Sequence, residues 1–171
     1  MIPVEQVRWF AVQVMPRHEA RVALLLDHKG VEQFLPKIVI RRQWSDRIKV
    51  IEQPLFPAYV FCRTKRSLFS TVLNTPGVHK IVSFGEVAYP IPDHEISAIQ
   101  RMLSVGRDPE PVPYLTVGQK VIIVSGPLKG ITGIVSRPKN HCRLIISVEA
   151  ILRSISIEVS SAEVAPFEQI A

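Results

Sequence analysis

The sequence predicts an α+β sandwich, with helices on a mostly antiparallel sheet, followed by a small all-β barrel. Up to Leu103, strand-like and helix-like segments alternate irregularly around one hairpin. Residues 104–115 then contain three prolines and show no apolar periodicity. Every later segment has strand character. We therefore predict a first domain at residues 1–103, a semi-extended linker at 104–115 and a second domain at 116–171.

The first domain opens with a strand and a helix. Residues 9–14 are apolar and rich in β-branched and aromatic side chains, which is typical of a buried strand. Residues 19–29 place apolar side chains at helical spacing, and Gly30 follows as a stop signal. Ser67 and Asp93 are positioned to cap two further helices.

A basic hairpin is predicted next in this domain. Residues 34–43 and 47–53 alternate apolar with basic or polar side chains on either side of residues 44–46. The cations that flank Trp44 are Lys37, Arg41, Arg42, Arg47 and Lys49. Such a hairpin suits a nucleic-acid backbone, but charged strand exteriors also prevent edge-to-edge aggregation. Composition alone leaves both interpretations open.

An aromatic segment follows the hairpin. Phe56 lies between Pro54 and Pro57, and we expect this stiff, irregular segment to present the ring outward. Together with Tyr59, an outward ring would form an anchor for a partner helix. Most other apolar residues of 9–14 and of the strand that begins at Tyr59 are expected in the core.

Composition and charge narrow the class of protein. With 47% hydrophobic and 21% charged residues, the chain is able to bury a core. A formal charge of +6 favours a polyanionic neighbour such as a nucleic acid. No apolar run reaches the roughly 18 residues of a membrane span, so we expect no membrane partner. The two cysteines, Cys62 and Cys142, are far apart and lack CxxC spacing, which favours a reducing cytoplasm.

The sequence offers no assembled catalytic or metal motif. His94-Glu95 begins an HExxH pattern, but Ala98 occupies the position of the second histidine. The other histidines lack metal-ligand spacing, and no glycine-rich nucleotide loop follows a strand. A dispersed Ser/His/Asp or Cys/His site stays open from sequence alone. We expect no catalytic residues, no metal and no cofactor.

The strongest motif lies at residues 117–135. Gly126-Pro127 and Gly130 bracket a turn between two strands, and Gly133 lies inside the second strand, where a bulge or bend closes a small barrel. This run resembles the KOW motif, which implies an SH3-like barrel. KOW barrels occur in NusG-type transcription factors and in ribosomal proteins. The glycines and prolines also argue against a helical fold for this domain.

The first domain decides between these families. Residues 9–14, 53–61, 76–78 and 84–85 resemble the NusG N-terminal (NGN) domain in order and spacing. One departure is Ala58, where the housekeeping pattern has glycine, and an alanine there requires a negative φ if the turn is unstrained. Together the two domains resemble the NusG family over nearly the whole chain.

The resemblance implies a binding function. NGN domains of this family bind the clamp helices of the largest RNA polymerase subunit. The implied polymerase-binding residues are Phe56, Pro57 and Tyr59, with Trp9 and Phe84 as weaker candidates, and Phe69, Ser70 and Thr71 opposite the polymerase gate loop. The hairpin residues Arg41, Arg42, Trp44 and Arg47 would face upstream or non-template DNA.

The resemblance leaves the precise role open. The segment at residues 52–57 is similar to RfaH and to antiterminators of polysaccharide operons, which implies antitermination at selected operons. We expect a monomer. A general elongation factor and an RNA-binding or ribosomal KOW protein are the alternatives. The KOW domain would bind a ribosomal protein, Rho or RNA.

Overall fold

A computed structural model describes residues 5–114, 118–136 and 142–167 of the chain. The chain divides into two compact units, Met1–Asp93 and His94–Ala171. The domain boundaries that we place at residues 103 and 116 remain predictions. None of the helices in the described segments has the length and apolar character needed to span a bilayer.

The first unit contains one main antiparallel sheet, two small hairpins and two helices. Its elements in chain order are β1 (Arg8–Val14), α1 (Glu19–His28), β2 (Glu32–Phe34), β3 (Lys37–Gln43), β4 (Ile48–Pro54), β5 (Tyr59–Thr64), a 3-10 turn (Arg66–Leu68), α2 (Phe69–Leu73), β6 (Val78–Ile81), β7 (Ser83–Phe84), β8 (Val87–Ala88) and β9 (Pro90–Ile91). The main sheet has the order β2-β5-β1-β6, and β9 also pairs with β1. The predicted strands and helices of this part are thus present, within a few residues of the expected ends.

The core of this unit forms around β1. Because β1 is the central strand, its apolar run is buried along almost its whole length. Phe10, Val12 and Val14 pack in one cluster with Val22 and Leu26 of α1. The helical spacing of the last two residues places both on the face of α1 that covers the sheet.

One predicted cap is wrong. Ser67 lies inside the 3-10 turn, and the N-cap of α2 is Leu68, which makes no side-chain capping hydrogen bond. The tighter turn absorbs the residues that the sequence assigns to the start of the helix, so the serine hydroxyl is not at the capping position.

The second unit is built mainly of strands. Its elements are α3 (Asp93–Ser104, which begins at the last residue of the first unit), β10 (Glu110–Val112), β11 (Gln119–Ile123), β12 (Thr132–Ser136), β13 (Cys142–Val148), a 3-10 turn (Glu149–Ile151), β14 (Arg153–Val159), a 3-10 turn (Ser161–Glu163) and β15 (Val164–Pro166). The strands β10 to β15 form a six-stranded antiparallel sheet in the order β10-β14-β13-β12-β11-β15. The α+β fold class and the β character of the C-terminal part are confirmed.

Gly133, in β12 of this sheet, occupies a position with no room for a side chain. A Cβ atom on Gly133 would lie 2.5 Å from the carbonyl oxygen of Ile145, which is closer than real Cβ contacts. Gly126 and Gly130 have φ values of +80° and +90°, in the region that side chains disfavour. The KOW-like glycines therefore set the turn and the close strand approach.

Burial along β14 differs from simple alternation. Ile155, Ile157 and Val159 are buried as expected, but Ser154 and Ser156 are buried too. The hydroxyl oxygens of Ser154 and Ser147 lie 2.6 Å apart, and Arg143 Nε donates to Ser156 Oγ at 3.1 Å. Hydrogen bonds allow small polar side chains to occupy the second face, so the expectation of one buried and one solvated face is wrong at these serines.

The proline-rich connection is ordered against the β-sheet of its unit. Glu110–Val112 forms β10 and pairs with β14. Arg107 donates to Glu163 Oε1 at 3.0 Å and to Oε2 at 3.3 Å, and also to the carbonyl of Glu158. Arg143 forms a 2.8 Å ion pair with Glu110. The extended conformation expected for this segment thus includes a strand.

Candidate functional site

The β3–β4 hairpin forms a two-stranded ribbon outside the main sheet. Its register pairs Arg41 with Val50 and Arg42 with Lys49. Directly opposed residues share a face and successive residues alternate faces, so Arg41 and Arg42 lie on opposite faces of the ribbon.

One face of the ribbon combines cations with an indole. Trp44 is 52% exposed, and Lys49 Nζ lies 5.2 Å from the centroid of its ring. Arg42 is the cross-strand partner of Lys49 and extends the same cationic face. The turn is closed by the Trp44 amide, which donates to the Arg47 carbonyl at 2.8 Å. This face has the chemistry to contact phosphates and to stack on a base.

The other face is apolar towards the tip. Val39, Ile48 and Val50 are all exposed there, and Arg41 lies among them. Of the predicted DNA-facing residues, the structure therefore brings Arg42 and Trp44 together and separates Arg41 from them. Arg47 lies in the turn, with an exposed guanidinium 3.9 Å from the Asp46 carboxylate.

The aromatic segment after the ribbon folds differently from expectation. Phe56 is only 3% exposed and packs edge-to-face on Phe61, with ring centroids 5.8 Å apart. The Leu55 amide donates to the Pro36 carbonyl and the Tyr59 amide donates to the Phe56 carbonyl, which turns the chain so that the Phe56 ring points inward. The expected outward presentation of Phe56 is wrong. Pro57 is exposed and Tyr59 is half-buried.

A strained residue fixes this segment. Ala58 has a φ of +67°, so the negative φ expected for an alanine at this position is also wrong. Its amide donates to Glu19 Oε1 at 2.8 Å, and its carbonyl accepts from the Val14 amide at 2.9 Å. The buried Glu19 carboxylate on α1 and the end of β1 thus hold the turn from two sides.

Glu19 is a positioning residue that sequence analysis missed. An acidic residue in the first turn of a helix is ordinarily explained by the helix dipole. Its hydrogen bond to Ala58 joins residues 39 positions apart. No local pattern could reveal this contact.

The remaining predicted aromatic residues separate into core and surface. Trp9 is buried in β1, whereas Phe84, at the turn between β7 and β8, is 84% exposed. Phe69 is half-buried and packs edge-to-face on Phe10, with centroids 5.0 Å apart. Trp9 and Phe69 therefore support the fold, and Phe84 is available to a partner.

Ser70 and Thr71 lie beside Phe69 in α2. Ser70 is exposed and Thr71 is half-buried. The Thr71 carbonyl accepts from Lys29 Nζ at 3.1 Å and from the Thr75 hydroxyl at 3.0 Å. These bonds tie α2 to the end of α1, so Ser70 projects from a fixed helix.

Comparison with known proteins identifies the family. A family model described as "Transcription termination factor nusG" matches residues 7–100, more than half of the chain. The chain belongs to the NusG family.

Curated NusG proteins match it along most of their length. The transcription termination/antitermination protein NusG of Helicobacter pylori is 24% identical, over 91% of this chain and 96% of that protein. NusG of Escherichia coli strain K12 is 26% identical, over 92% and 94%. A Thermotoga maritima NusG structure, described as "Domain interaction in Thermotoga maritima NusG", superimposes with a TM-score of 0.56 at 22% identity, covering 95% of this chain and 98% of that one. This structure supports the fold.

The comparisons identify the family but no individual functional residue of this chain. Among the described residues, no group of three or more His, Cys, Asp or Glu side chains could hold a metal ion. Burial raises the pKa of the Cys62 thiol to about 12, so this cysteine stays protonated and unreactive. The surface features of the first unit are the basic ribbon, the half-buried Tyr59 and the exposed Phe84.

Proposed function

We propose that this protein is a transcription elongation and antitermination factor that binds the clamp helices of the largest RNA polymerase subunit. The match of residues 7–100 to the NusG family is the observation that carries the proposal, because this range covers nearly all of the first unit. Binding across the polymerase cleft would hold the enzyme closed on its template and suppress pausing or termination.

Burial supports a choice of contacts among the candidate residues. Tyr59 and Phe84 are assigned to the polymerase interface, since both present aromatic surface. Phe56 and Trp9 are assigned to the support beneath it, because both rings are buried. Pro57 is exposed beside Tyr59 and extends the same surface. We keep Phe69, Ser70 and Thr71 as the segment that faces the polymerase gate loop, with exposed Ser70 as its contacting side chain.

The ribbon is assigned to upstream or non-template DNA. Its Trp44 face carries Arg42 and Lys49, and neutralising phosphates with such cations releases counterions. Arg41 and Arg47 would contribute long-range attraction from other directions. Binding through this face is therefore expected to weaken with salt, in contrast to binding through Tyr59 and Phe84.

Within this function, the protein is assigned to antitermination at selected operons, in the manner of the specialised paralogues. This assignment is supported by the similarity of residues 52–57 to those paralogues.

The second unit is assigned the binding of a ribosomal protein, Rho or RNA. The proposed domain organisation is a first domain at residues 1–103, a linker at 104–115 and a second domain at 116–171. We further propose that the protein acts as a cytoplasmic monomer without catalytic activity.

Single-round transcription with purified RNA polymerase tests the proposal. The protein should shorten pauses or increase read-through of a terminator, and a Tyr59→Ala/Phe84→Ala variant should lose this effect. Leu152→Ala is the matched control, because it also removes an exposed apolar side chain but from the second unit. Activity on one operon's leader alone would indicate a specialised factor, and activity on every template a general one.

Two results would contradict the proposal. Transcription that is unchanged on all templates would argue against an elongation factor. Association with ribosomes and not with polymerase would instead support an RNA-binding or ribosomal KOW protein.

A further inference from the structure

The Trp44 face of the β3–β4 ribbon carries two like charges directly opposite each other. Arg42 and Lys49 are cross-strand partners, so their side chains leave the ribbon on the same side, with Cβ atoms about 5 Å apart. In the described part of the chain, neither cation forms an ion pair with a carboxylate. Opposed like charges destabilise a strand pair. An anion between the two side chains would replace this repulsion with attraction.

The indole of Trp44 lies beside this cationic pair. Lys49 Nζ is 5.2 Å from the ring centroid, which places the ammonium group over one face of the ring. Trp44 follows Arg42 by two residues, so the two positions are on the same side of the ribbon and roughly 7 Å apart along the strand. The ring is exposed and contacts no other aromatic ring among the described residues. The second face of the indole is therefore free to stack.

The two features together select the chemistry of a ligand. A phosphate matches the pair of cations without a carboxylate partner, and a nucleobase offers a flat π surface to the free face of the indole. In a duplex the bases are stacked on each other, so an indole reaches their faces only after they have been unstacked, which costs free energy. The base edges in the major groove are read by hydrogen-bonding side chains, and the face of an indole has no such group. An unpaired base presents its face without this cost.

We propose, building on the nucleic-acid role assigned to the ribbon above, that its Trp44 face binds one unpaired nucleotide of a single strand. The base stacks on the free face of Trp44, and a neighbouring phosphate lies between Arg42 and Lys49. Stacking tolerates every base, so the contact adds affinity for single strands without fixing a sequence. Duplex DNA is held at this face only through its phosphates. Single-stranded DNA and RNA share the chemistry of the site.

Fluorescence anisotropy on the full chain tests the site with matched oligonucleotides. A labelled oligothymidylate is compared with an abasic strand of the same length, which has the same phosphates but no bases. We expect the thymidylate strand to bind roughly tenfold tighter than the abasic strand. An oligouridylate of the same length provides the RNA arm. Tighter binding of the uridylate strand would identify RNA as the preferred ligand, and tighter binding of the thymidylate strand would identify DNA.

Tryptophan emission gives a second, direct signature of stacking. Trp9 is buried, so quenching by an added ligand reports Trp44. The thymidylate strand should quench this emission, and the abasic strand should not. A relaxed circular duplex, which has neither unpaired nor terminal bases, should also leave the emission unchanged. Quenching by the duplex equal to that by the single strand would contradict the preference for an unpaired base.

Three variants separate stacking from attraction to phosphate. Trp44→Ala should remove the preference for the strand with bases and leave binding of the abasic strand unchanged, and emission of the remaining Trp9 verifies folding. Arg42→Ala should weaken binding of both strands by a similar factor and reduce the salt slope by about one phosphate contact. Val50→Ala is the matched control and should bind both strands like wild type, because Val50 is exposed next to Lys49 in β4 but on the opposite face.

Binding of core RNA polymerase without nucleic acid is measured in parallel, so that failure of this site and failure of the proposed function are distinguishable. Equal affinities of wild type for the thymidylate and abasic strands, or an unchanged preference in folded Trp44→Ala, would overturn the stacking site. If polymerase binding persists in that case, the proposed function stands. A wild-type protein that prefers the strand with bases but does not bind polymerase would retain the site and lose the proposed function.

Discussion

Replacing Ala58 with glycine should stabilise the first unit, because Ala58 is held at a φ of +67°. A non-glycine residue in the left-handed region costs about 1–2 kcal/mol. Glycine removes this strain but adds about 0.4–1 kcal/mol of unfolded-chain entropy. Both hydrogen bonds of the turn involve backbone atoms of residue 58 and persist in the variant. The net gain is therefore about 1 kcal/mol.

Tryptophan fluorescence isolates this effect. The two tryptophans of the chain, Trp9 and Trp44, both lie in the first unit, and only Trp9 is buried. A thermal melt followed by their emission therefore reports unfolding of this unit alone. For a domain of this size, a gain of about 1 kcal/mol corresponds to a melting temperature roughly 4–8 °C higher.

The matched control is Ala20→Gly, at an exposed position in the first turn of α1. The same chemical change in an ordinary helical conformation should lower stability, by up to about 1 kcal/mol. Opposite signs for the two substitutions would establish that conformation, and not residue type, determines the result. A melting temperature of Ala58→Gly at or below that of wild type would refute the strain argument.

Three other perturbations follow from contacts in the two units. Glu19→Ala leaves the Ala58 amide without its acceptor and should cost about 1–3 kcal/mol in a fluorescence-detected denaturant titration, whereas Glu19→Gln keeps an acceptor oxygen and should cost less. Phe56→Ala should lower the free energy of unfolding of the first unit by about 3–5 kcal/mol, because the ring is buried, and its melting temperature should fall accordingly. A melt like that of wild type would contradict this. Hydrogen bonding to Arg107 is the largest cause that lowers the pKa of Glu163 below 4.5. Stabilisation by this pair is therefore present above about pH 4.5 and is lost as the pH falls through the lowered pKa. The cost of Arg107→Ala, about 1 kcal/mol at pH 7, should therefore shrink in circular-dichroism melts as the pH is lowered through that pKa, down to the part that comes from the hydrogen bond of Arg107 to the Glu158 carbonyl.

Periodicity predicted most of the secondary structure because burial in this fold follows local patterns. The apolar run of β1, the helical spacing of α1 and the alternating ribbon all appear as expected. Period-two alternation also contains the information that Arg41 and Arg42 occupy opposite faces. That separation follows from the sequence once the strand is accepted.

The conformation around Phe56 could not be predicted in the same way. Two flanking prolines indicate stiffness but do not determine on which side the ring lies. The direction is fixed by a left-handed Ala58 and by a hydrogen bond to Glu19 from 39 residues away. Buried Ser154 and Ser156 are similar cases, since cross-strand partners satisfy their hydroxyls. Long-range contacts override local expectation at these positions.

Direct binding to core RNA polymerase tests the central claim most sharply. The affinity of the full chain should fall roughly thirtyfold or more when Tyr59 and Phe84 are both replaced by alanine, because an aromatic hot spot contributes about 2 kcal/mol. Tryptophan fluorescence verifies that the variant is folded, and Leu152→Ala should bind like wild type. A folded Tyr59→Ala/Phe84→Ala variant that binds polymerase with wild-type affinity would contradict the proposed interface.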